Sequence, residues 1–249
     1  GGTRGKKPVP KRLILVRHGE SEGNVDHSVY RHKPDNALHL TARGRQQALA
    51  AGRRIKEEVG GESTKFIVSP YVRTRETFAG IAQAFGSGGI EGLEWREDPR
   101  VREQDFGNFQ DPEAMREAKD ERRGFGEFYY RFEEGESSAD VYDRVSSFLE
   151  SLYRMWYRDD IDNYILVLHG LTINVFLMRF FKYSVDEFNQ YQNFENGEFV
   201  VLERNAQGDL EVAKVVQGSE DGSTATVFPS QRRKPRHLWA QREMWDGGD

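Results

Sequence analysis

The 249-residue chain contains no cysteine and no long apolar run. Without cysteine, the chain has no disulfide framework, no cysteine-ligated zinc site and no thiol nucleophile. The longest aliphatic runs, residues 13–16 and 165–168, are four residues each, against the roughly 20 apolar residues that a membrane span needs. We therefore expect no membrane partner, and a cysteine-free chain without a readable signal segment predicts a cytoplasmic location.

The chain also lacks an excess of basic residues. It carries 36 Lys and Arg against 41 Asp and Glu, a net charge of −5, and this balance argues against nucleic acid as a partner. A chain of this length can bury a core without disulfides and suits one domain. The sequence predicts a flexible basic tail at 1–10, a single domain at 11–217 with an insertion near 108–137, and a polar tail at 218–249.

Short apolar segments alternate with helical hydrophobic patterns along the predicted domain. This alternation predicts an α/β fold with a mostly parallel sheet. Thr41 is placed to cap one helix, whose predicted inward positions are Ala48, Leu49, Ile55 and Val59. Residues 86–92 read as a glycine-rich loop. The predicted strands are 13–16, 66–68, 164–168, 199–202 and 210–216, and the predicted helices are 42–59, 72–85, 112–122, 138–157 and 171–181.

Three of the predicted strands end in residues that suit phosphoryl chemistry. The first runs into Arg17 and His18, the second is followed by Arg73, and the third runs into His169. Ligands of parallel sheets bind at the carboxyl ends of strands, so we expect these side chains to converge. Guanidinium groups match phosphate oxygens, and a neutral imidazole can attack an electrophile. Phosphoryl transfer depends chiefly on such positioning and charge stabilisation.

A phosphate ester also needs a proton donor for its leaving alkoxide. Residues 101–107 offer Glu103 and Asp105 for this role. A metal site built on His18 and His169 is a further possibility, but no carboxylate set completes it and the neighbouring arginines would repel a cation. We therefore expect neither a metal nor a cofactor.

Five motifs together resemble the histidine phosphatase superfamily, in its phosphoglycerate-mutase-like branch, over roughly residues 13 to 202. With residues 34–41, the opening motif looks like that of the plant and fungal phosphoglycerate-mutase-like acid phosphatases. The matching segments are 17–24 (Arg-His-Gly-x-Ser-x-x-Asn), 69–77 (Ser-x-x-x-Arg-x-x-x-Thr), 103–107 (Glu-x-x-x-Gly), 135–137 followed by Arg144 (Gly-Glu-Ser…Arg), and His169 with Gly170.

The resemblance implies a fold and a set of residue roles. The fold is a three-layer α/β/α sandwich around a mostly parallel sheet. His18 is the nucleophile and becomes phosphohistidine, while Glu103, favoured over Asp105, donates the proton and later activates water. Thr172 follows the second histidine, and Glu136 with Arg144 is expected to be structural. The residues implied at the phosphoryl group or substrate are Arg17, Asn24, Arg73, His169 and Gly170.

Phosphatases and cofactor-dependent mutases of this family differ in the acceptor of the phosphoryl group. Arg122 and Arg123 echo the double arginine of the mutase insertion, but the proline-rich stretch is missing and the segment is shorter. The sequence therefore favours a phosphatase acting on a small phosphate monoester. A mutase, a non-catalytic phospho-ligand module and a nucleotide-binding domain are the alternatives. Arg31, Arg122 and Arg123 are candidates for anchoring a second anionic group of the substrate.

Overall fold

The computed structural model describes residues 9–86, 88–107, 111–216 and 226–227. Within these residues one seven-stranded sheet has the order β3-β2-β4-β1-β5-β6-β7. Strands β3, β2, β4 and β1 pair in parallel, and β5, β6 and β7 extend the sheet in antiparallel fashion. The strands are β1 (Arg12–Arg17), β2 (Thr64–Val68), β3 (Glu94–Glu97), β4 (Asn163–Leu168), β5 (Phe199–Arg204), β6 (Leu210–Val216) and β7 (Thr226–Val227).

Helices cover both faces of the sheet. Alternate side chains of a strand point to opposite faces, so Leu13 and Leu15 of β1 enter one core and Ile14 and Val16 enter the other. The fifth and sixth helices pack on the first core, and the second and third on the other, which confirms the three-layer α/β/α class. The helices are α1 (Glu22–Val25), α2 (Ala42–Val59), α3 (Val72–Ala82), α4 (Pro112–Phe125), α5 (Ser138–Arg158), α6 (Gly170–Phe181) and α7 (Val185–Phe188).

Strand β4 aligns the ends of its two neighbours. All six of its residues are buried, and Val16 of β1 and Val68 of β2 are both in register with Val167. The backbone pairing continues past the strand ends, because the His18 N–H donates to the Leu168 carbonyl over 3.0 Å. The segments that follow the three strands therefore leave the sheet side by side.

Helix α2 shows where sequence patterning succeeds and where it fails. Thr41 caps the helix as predicted, its hydroxyl accepting from the Gly44 N–H. Leu49 was expected in the core but is only half-buried. The buried face instead includes Gly52, because α3 approaches so closely that a Cβ there would lie 2.7 Å from the Ile81 Cα.

Other boundaries also differ from the sequence-based expectation. The helix predicted at 72–85 ends at Ala82 and continues as the 3-10 turn Gln83–Phe85, and the expected loop at 86–92 contains the 3-10 turn Gly89–Gly92. Strand β3 was not predicted because charged residues fill this edge strand. The expected basic tail lies almost entirely outside the described residues, and so does the polar tail except 226–227. No helix among the described residues is long and apolar enough to cross a membrane.

Candidate active site

His18, which follows β1, is buried with one ring nitrogen available for attack. Its Nδ1 lies 2.7 Å from the Gly19 carbonyl, and its Nε2 accepts from the Arg73 Nε over 3.3 Å. A carbonyl oxygen only accepts, so Nδ1 carries the proton and Nε2 keeps its lone pair. Gly19 is required here because a Cβ would lie 2.3 Å from the Gly44 carbonyl oxygen.

His169 follows β4 and forms the N-cap of α6. Its ring lies 5.2 Å from the His18 ring and 5.0 Å from the Tyr71 ring, measured between centroids. Its Nε2 is hydrogen-bonded to the Ser69 hydroxyl over 2.7 Å, while its Nδ1 is buried without a protein partner. That nitrogen is thus a buried polar atom whose hydrogen-bonding capacity the protein leaves unused.

Both imidazoles sit in an environment that opposes a positive charge. Burial lowers the pKa of His18 well below its ordinary value, and Arg73 and Arg17 lower it further. Burial likewise lowers the pKa of His169, with Arg73 and His18 adding to the effect. Both rings are therefore neutral at physiological pH, as nucleophilic attack by an imidazole requires.

Arg17 lies at the end of β1, with its guanidinium against the start of α6. Its Nη1 donates to the Phe194 carbonyl, and its Nε is buried without a protein partner. Burial lowers its pKa, an effect opposed by the charge of Glu103. Gly170 begins α6 beside this side chain, and a Cβ there would lie 3.4 Å from the Arg17 Nε, an ordinary van der Waals contact.

Arg73, in the first turn of α3, is paired with a residue that the sequence motifs did not identify. Its Nη1 and Nη2 donate to the two carboxylate oxygens of Asp35 over 3.0 and 3.1 Å. The guanidinium lies 4.8 Å from the centroid of the Tyr71 ring. Asp35 is in the 3-10 turn Asp35–Ala37, within a segment whose resemblance suggested a subfamily but no role for this side chain.

The geometry separates the two candidate acids. Glu103 lies against the N-terminus of α6, where one carboxylate oxygen accepts from the Thr172 N–H over 3.2 Å and contacts the Thr172 hydroxyl at 3.0 Å. The other oxygen accepts from the Leu171 N–H over 3.4 Å. Asp105 is exposed and binds the Gly107 N–H instead. Glu103 thus lies next to His169, whereas Asp105 lies on the solvent-exposed outer rim of the site.

Glu136 and Arg144 hold the segment that carries Glu103. The Arg144 guanidinium donates to both Glu136 carboxylate oxygens over 3.0 Å and to the carbonyls of Arg102 and Glu103. Glu136 also accepts from the Asp105 N–H over 3.0 Å. These contacts agree with the expected structural role of the pair.

Asn24 does not reach Arg73 or His18 with its side chain in this structure. Its carboxamide oxygen accepts from the Ser21 N–H over 2.9 Å and from the Asn196 side chain over 3.2 Å. Asn196 donates in turn to the His18 carbonyl. Asn24 therefore ties the loop after β1 to the loop before β5, and its predicted contact with phosphate or substrate stays a prediction.

Two clefts lie next to the candidate site, and neither is lined by His18 or His169. A 510 Å³ cleft is lined by Tyr30, Arg31, Asp35 and Tyr71 among others. A 310 Å³ cleft is lined by residues of α6 and α7, by three cations of α4, and by Phe106, Glu127, Tyr191 and Asn193 from the connecting segments. Those cations are Lys119, Arg122 and Arg123.

The three cations of α4 differ in their surroundings. Arg122 is half-buried over the Phe132 ring, and its Nε has no protein partner. Burial lowers the pKa of Arg122 and of Lys119, and Lys119 is near enough to Asp35 to interact electrostatically. Arg123 is exposed and pairs with Asp120 over 2.6 Å. Among the expected anchors for a second anion, Arg122 fits better than Arg123, and Lys119 was missed.

Comparison with known proteins assigns the chain to a family. A family model described as the histidine phosphatase superfamily, branch 1, matches residues 13–216. The chain belongs to the histidine phosphatase superfamily. This membership confirms the expected enzyme class, a phosphatase of the histidine type, and with it a small phosphorylated substrate. Among the described residues no group of three or more His, Asp or Glu side chains is arranged to hold a metal ion.

The chain is similar to plant and fungal proteins over most of its length. Phosphoglycerate mutase-like protein AT74H of Arabidopsis thaliana is 47% identical over 224 residues, covering 84% of this chain and 79% of that protein. Broad-range acid phosphatase DET1 of Saccharomyces cerevisiae is 30% identical over 285 residues, covering 78% of this chain and 85% of that protein. The resemblance to the plant and fungal branch is therefore confirmed.

Solved histidine phosphatase structures share the fold at lower identity. Mycobacterial glucosyl-3-phosphoglycerate phosphatase Rv2419c, complexed with VO3, has a TM-score of 0.62 and 23% identity, covering 81% of this chain and 96% of that chain. Mycobacterial hydrolase 2 has a TM-score of 0.64 and 23% identity, covering 85% of this chain and 94% of that chain. These likenesses establish the architecture.

Acidification is expected to destabilise the fold through the two buried histidines. The pKa values of His18 and His169 are lower in the folded chain than the ordinary value of 6.5. The unfolded chain therefore takes up protons first as the pH falls through about 6.5, and the free energy of unfolding falls with it. Urea unfolding between pH 7.5 and 5.5 measures this slope. His169→Gln should show a shallower slope than wild type, and an identical slope would contradict the assignment.

Proposed function

We propose that the chain hydrolyses phosphate monoesters through a phosphohistidine formed on His18. The observation that carries the proposal is the surroundings of His18 Nε2. This nitrogen is unprotonated, its lone pair faces the Arg73 Nε–H over 3.3 Å, and the His169 ring lies beside it. Cationic and neutral donors around one nucleophile suit the binding and transfer of a dianionic phosphoryl group.

In the first step His18 Nε2 attacks phosphorus in line with the leaving oxygen. The P–N bond forms while the P–O ester bond breaks, and Arg17, Arg73 and His169 hold the phosphoryl oxygens. His169 can donate from Nδ1 only if its Nε2 is unprotonated. The Ser69 hydroxyl supports that tautomer by donating to Nε2 over the observed 2.7 Å contact.

Glu103 is the proposed proton donor. It protonates the leaving alkoxide, then takes a proton from water as the water attacks phosphorus and the P–N bond breaks. The Thr172 hydroxyl suits both forms of Glu103, because it lies 3.0 Å from the Glu103 Oε1 and 2.8 Å from the Arg102 carbonyl. It can donate to the carboxylate, or accept from the carboxylic acid while donating to the carbonyl.

The cations of α4 support a substrate that carries a second anionic group. Arg122 and Lys119 face the 310 Å³ cleft, which also includes Leu171 of the α6 N-terminus. Because that N-terminus binds Glu103, the cleft adjoins the place where the ester oxygen would leave. A carboxylate or second phosphate on the alcohol portion of the substrate is therefore the proposed ligand of this cleft.

Loss of His18 should abolish turnover. We expect wild type to release inorganic phosphate from nitrophenyl phosphate, sugar phosphates and phosphoglycerates in the presence of chelator, and His18→Ala to release none. His39→Ala, at an exposed histidine, is the matched control. Quenched wild type should retain labelled phosphate that is acid-labile and alkali-stable, as a phosphoramidate is. Equal release by wild type and His18→Ala would rule out His18 as the nucleophile. Phosphate exchange seen only with a bisphosphorylated primer would identify a mutase.

Removing the acid should affect poor leaving groups most. Glu103→Gln is expected to lower kcat for an alkyl phosphate by roughly 10²–10⁴-fold, the range typical of general acids. The loss should be smaller for nitrophenyl phosphate, whose leaving group needs little protonation. Asp105→Asn is the matched control, because that carboxylate lies on the outer rim. Equal losses on both substrates would contradict the role given to Glu103.

The adjacent arginines of α4 offer a paired test of the second anion. Arg122→Ala is expected to raise KM for a phosphoglycerate by about tenfold, since one charge-assisted contact is worth about 1.5–3 kcal/mol, and to leave KM for nitrophenyl phosphate unchanged. Arg123→Ala should change neither value, because Arg123 is exposed and paired with Asp120. Identical KM changes in the two variants would remove Arg122 from the cleft's proposed role.

A further inference from the structure

We propose that Asp35 is a positioning residue that sets the orientation of Arg73 toward the proposed nucleophile. The proposal rests on the proposed function, because it assigns Arg73 to the phosphoryl group. Asp35 lies outside the five superfamily motifs, in the segment 34–41 that resembles the plant and fungal branch, and its carboxylate accepts hydrogen bonds from Arg73.

The hydrogen bonds divide the Arg73 guanidinium into two edges. Its Nη1 and Nη2 donate to the Asp35 Oδ1 and Oδ2 over 3.0 and 3.1 Å, and Nη1 also donates to the Asp35 carbonyl over 2.5 Å. The group is planar with five N–H donors in a fixed fork. The two donors that remain, Nε–H and the second N–H of Nη2, therefore lie together on the other edge.

That other edge faces His18. The Arg73 Nε lies 3.3 Å from the His18 Nε2, the atom that would receive the phosphoryl group. Two parallel donors beside the nucleophile match two oxygens of a phosphoryl group. Because Asp35 occupies the opposite edge, its carboxylate does not compete with the phosphoryl oxygens for these donors.

Burial makes the pairing specific. The Arg73 and Asp35 side chains are 5% and 17% exposed, and the Tyr71 ring lies 4.8 Å from the guanidinium. A long side chain loses rotamer freedom when it is ordered. Asp35 and Tyr71 restrict Arg73 in the folded enzyme, so that loss occurs during folding and not during binding of the phosphoryl group.

Asp35 is itself held in place. The turn that follows Pro34 is closed by the Ala37 N–H donating to the Pro34 carbonyl over 2.9 Å, and Leu38 directly after it is fully buried. The Tyr30 side chain lies near the Asp35 carboxylate, which helps to raise the pKa of its hydroxyl after the larger effect of burial. The carboxylate thus offers Arg73 a fixed anchor.

The test compares Asp35→Asn and Asp35→Ala with wild type, using orthovanadate and inorganic phosphate as ligands. Orthovanadate takes the five-coordinate geometry of the transferring phosphoryl group, so it reports the placement of the donors. We expect orthovanadate affinity to fall by about tenfold or more, and more than phosphate affinity. The kcat for nitrophenyl phosphate should fall by roughly 10–10²-fold, the scale of a small misplacement. Asp35→Asn keeps the side-chain size and serves where Asp35→Ala does not fold.

The control variant is Asp26→Asn. Asp26 lies, like Asp35, in the connection between β1 and α2. Its side chain is exposed and accepts from the Ser28 N–H. This variant should bind orthovanadate as wild type does. Tighter phosphate binding by the Asp35 variants would overturn the proposal, because it would show that the carboxylate competes with phosphate for Arg73. Unchanged orthovanadate affinity would overturn it as well.

A double-mutant cycle separates positioning from a general structural role. In an Arg73→Ala background, Asp35→Asn should cause no further loss of orthovanadate affinity, because the side chain that it positions is gone. The same loss in both backgrounds would overturn the proposal. Orthovanadate binding, followed by calorimetry, requires no turnover. An enzyme that binds orthovanadate in an Asp35-dependent manner but hydrolyses no ester would therefore contradict the proposed function and leave the role of Asp35 intact.

Discussion

The parallel pairing of β4 with β1 and β2 is the constraint on which the rest of the site depends. Side chains of β4 are buried on both faces of the sheet, so a slip of one residue would exchange the two cores. The register that satisfies both cores also places His18, Ser69 and His169 at the same edge. The 2.7 Å contact between Ser69 and His169 follows directly from this alignment. The geometry of the candidate site and the packing of the core therefore have one common cause.

Two buried arginines lie beside two buried histidines, and the positive charges of the two arginines are compensated to different degrees. Arg73 is neutralised by a paired carboxylate, whereas Arg17 is bonded to a main-chain carbonyl and only opposed at longer range by glutamates. Burial disfavours protonation of the imidazoles, and the residual positive potential adds to this effect, so their pKa values are lowered. A dianionic phosphoryl group would complete this balance. The charge that is proposed to attract the substrate also adds to burial in keeping His18 Nε2 unprotonated.

Sequence predicted the parts of this site that local pattern determines. Apolar runs gave the strands, the residues after β1, β2 and β4 gave two histidines and two arginines, and the resemblance separated Glu103 from Asp105. Asp35 and Lys119 were not predicted, because their positions depend on how the long connections between the strands fold back over the sheet. The charged edge strand β3 was not predicted, and Leu49 was wrongly predicted to be in the core, for a related reason. Burial at these positions is decided by neighbours that are distant along the chain, such as Ile81 opposite Gly52.

Two long connections outside the sheet act on different parts of the proposed reaction. The first, between β1 and α2, brings Asp35 against Arg73 and so acts on the phosphoryl group itself. The second, between Glu103 and α5, places Arg122 over the 310 Å³ cleft and so acts on the alcohol portion of the substrate. The residues at the strand ends are fixed by core packing and cannot change without loss of the fold. The residues of these two connections can change. Substrate choice in this chain should therefore change through α4, while the rate of phosphoryl transfer should depend on Asp35 and its turn.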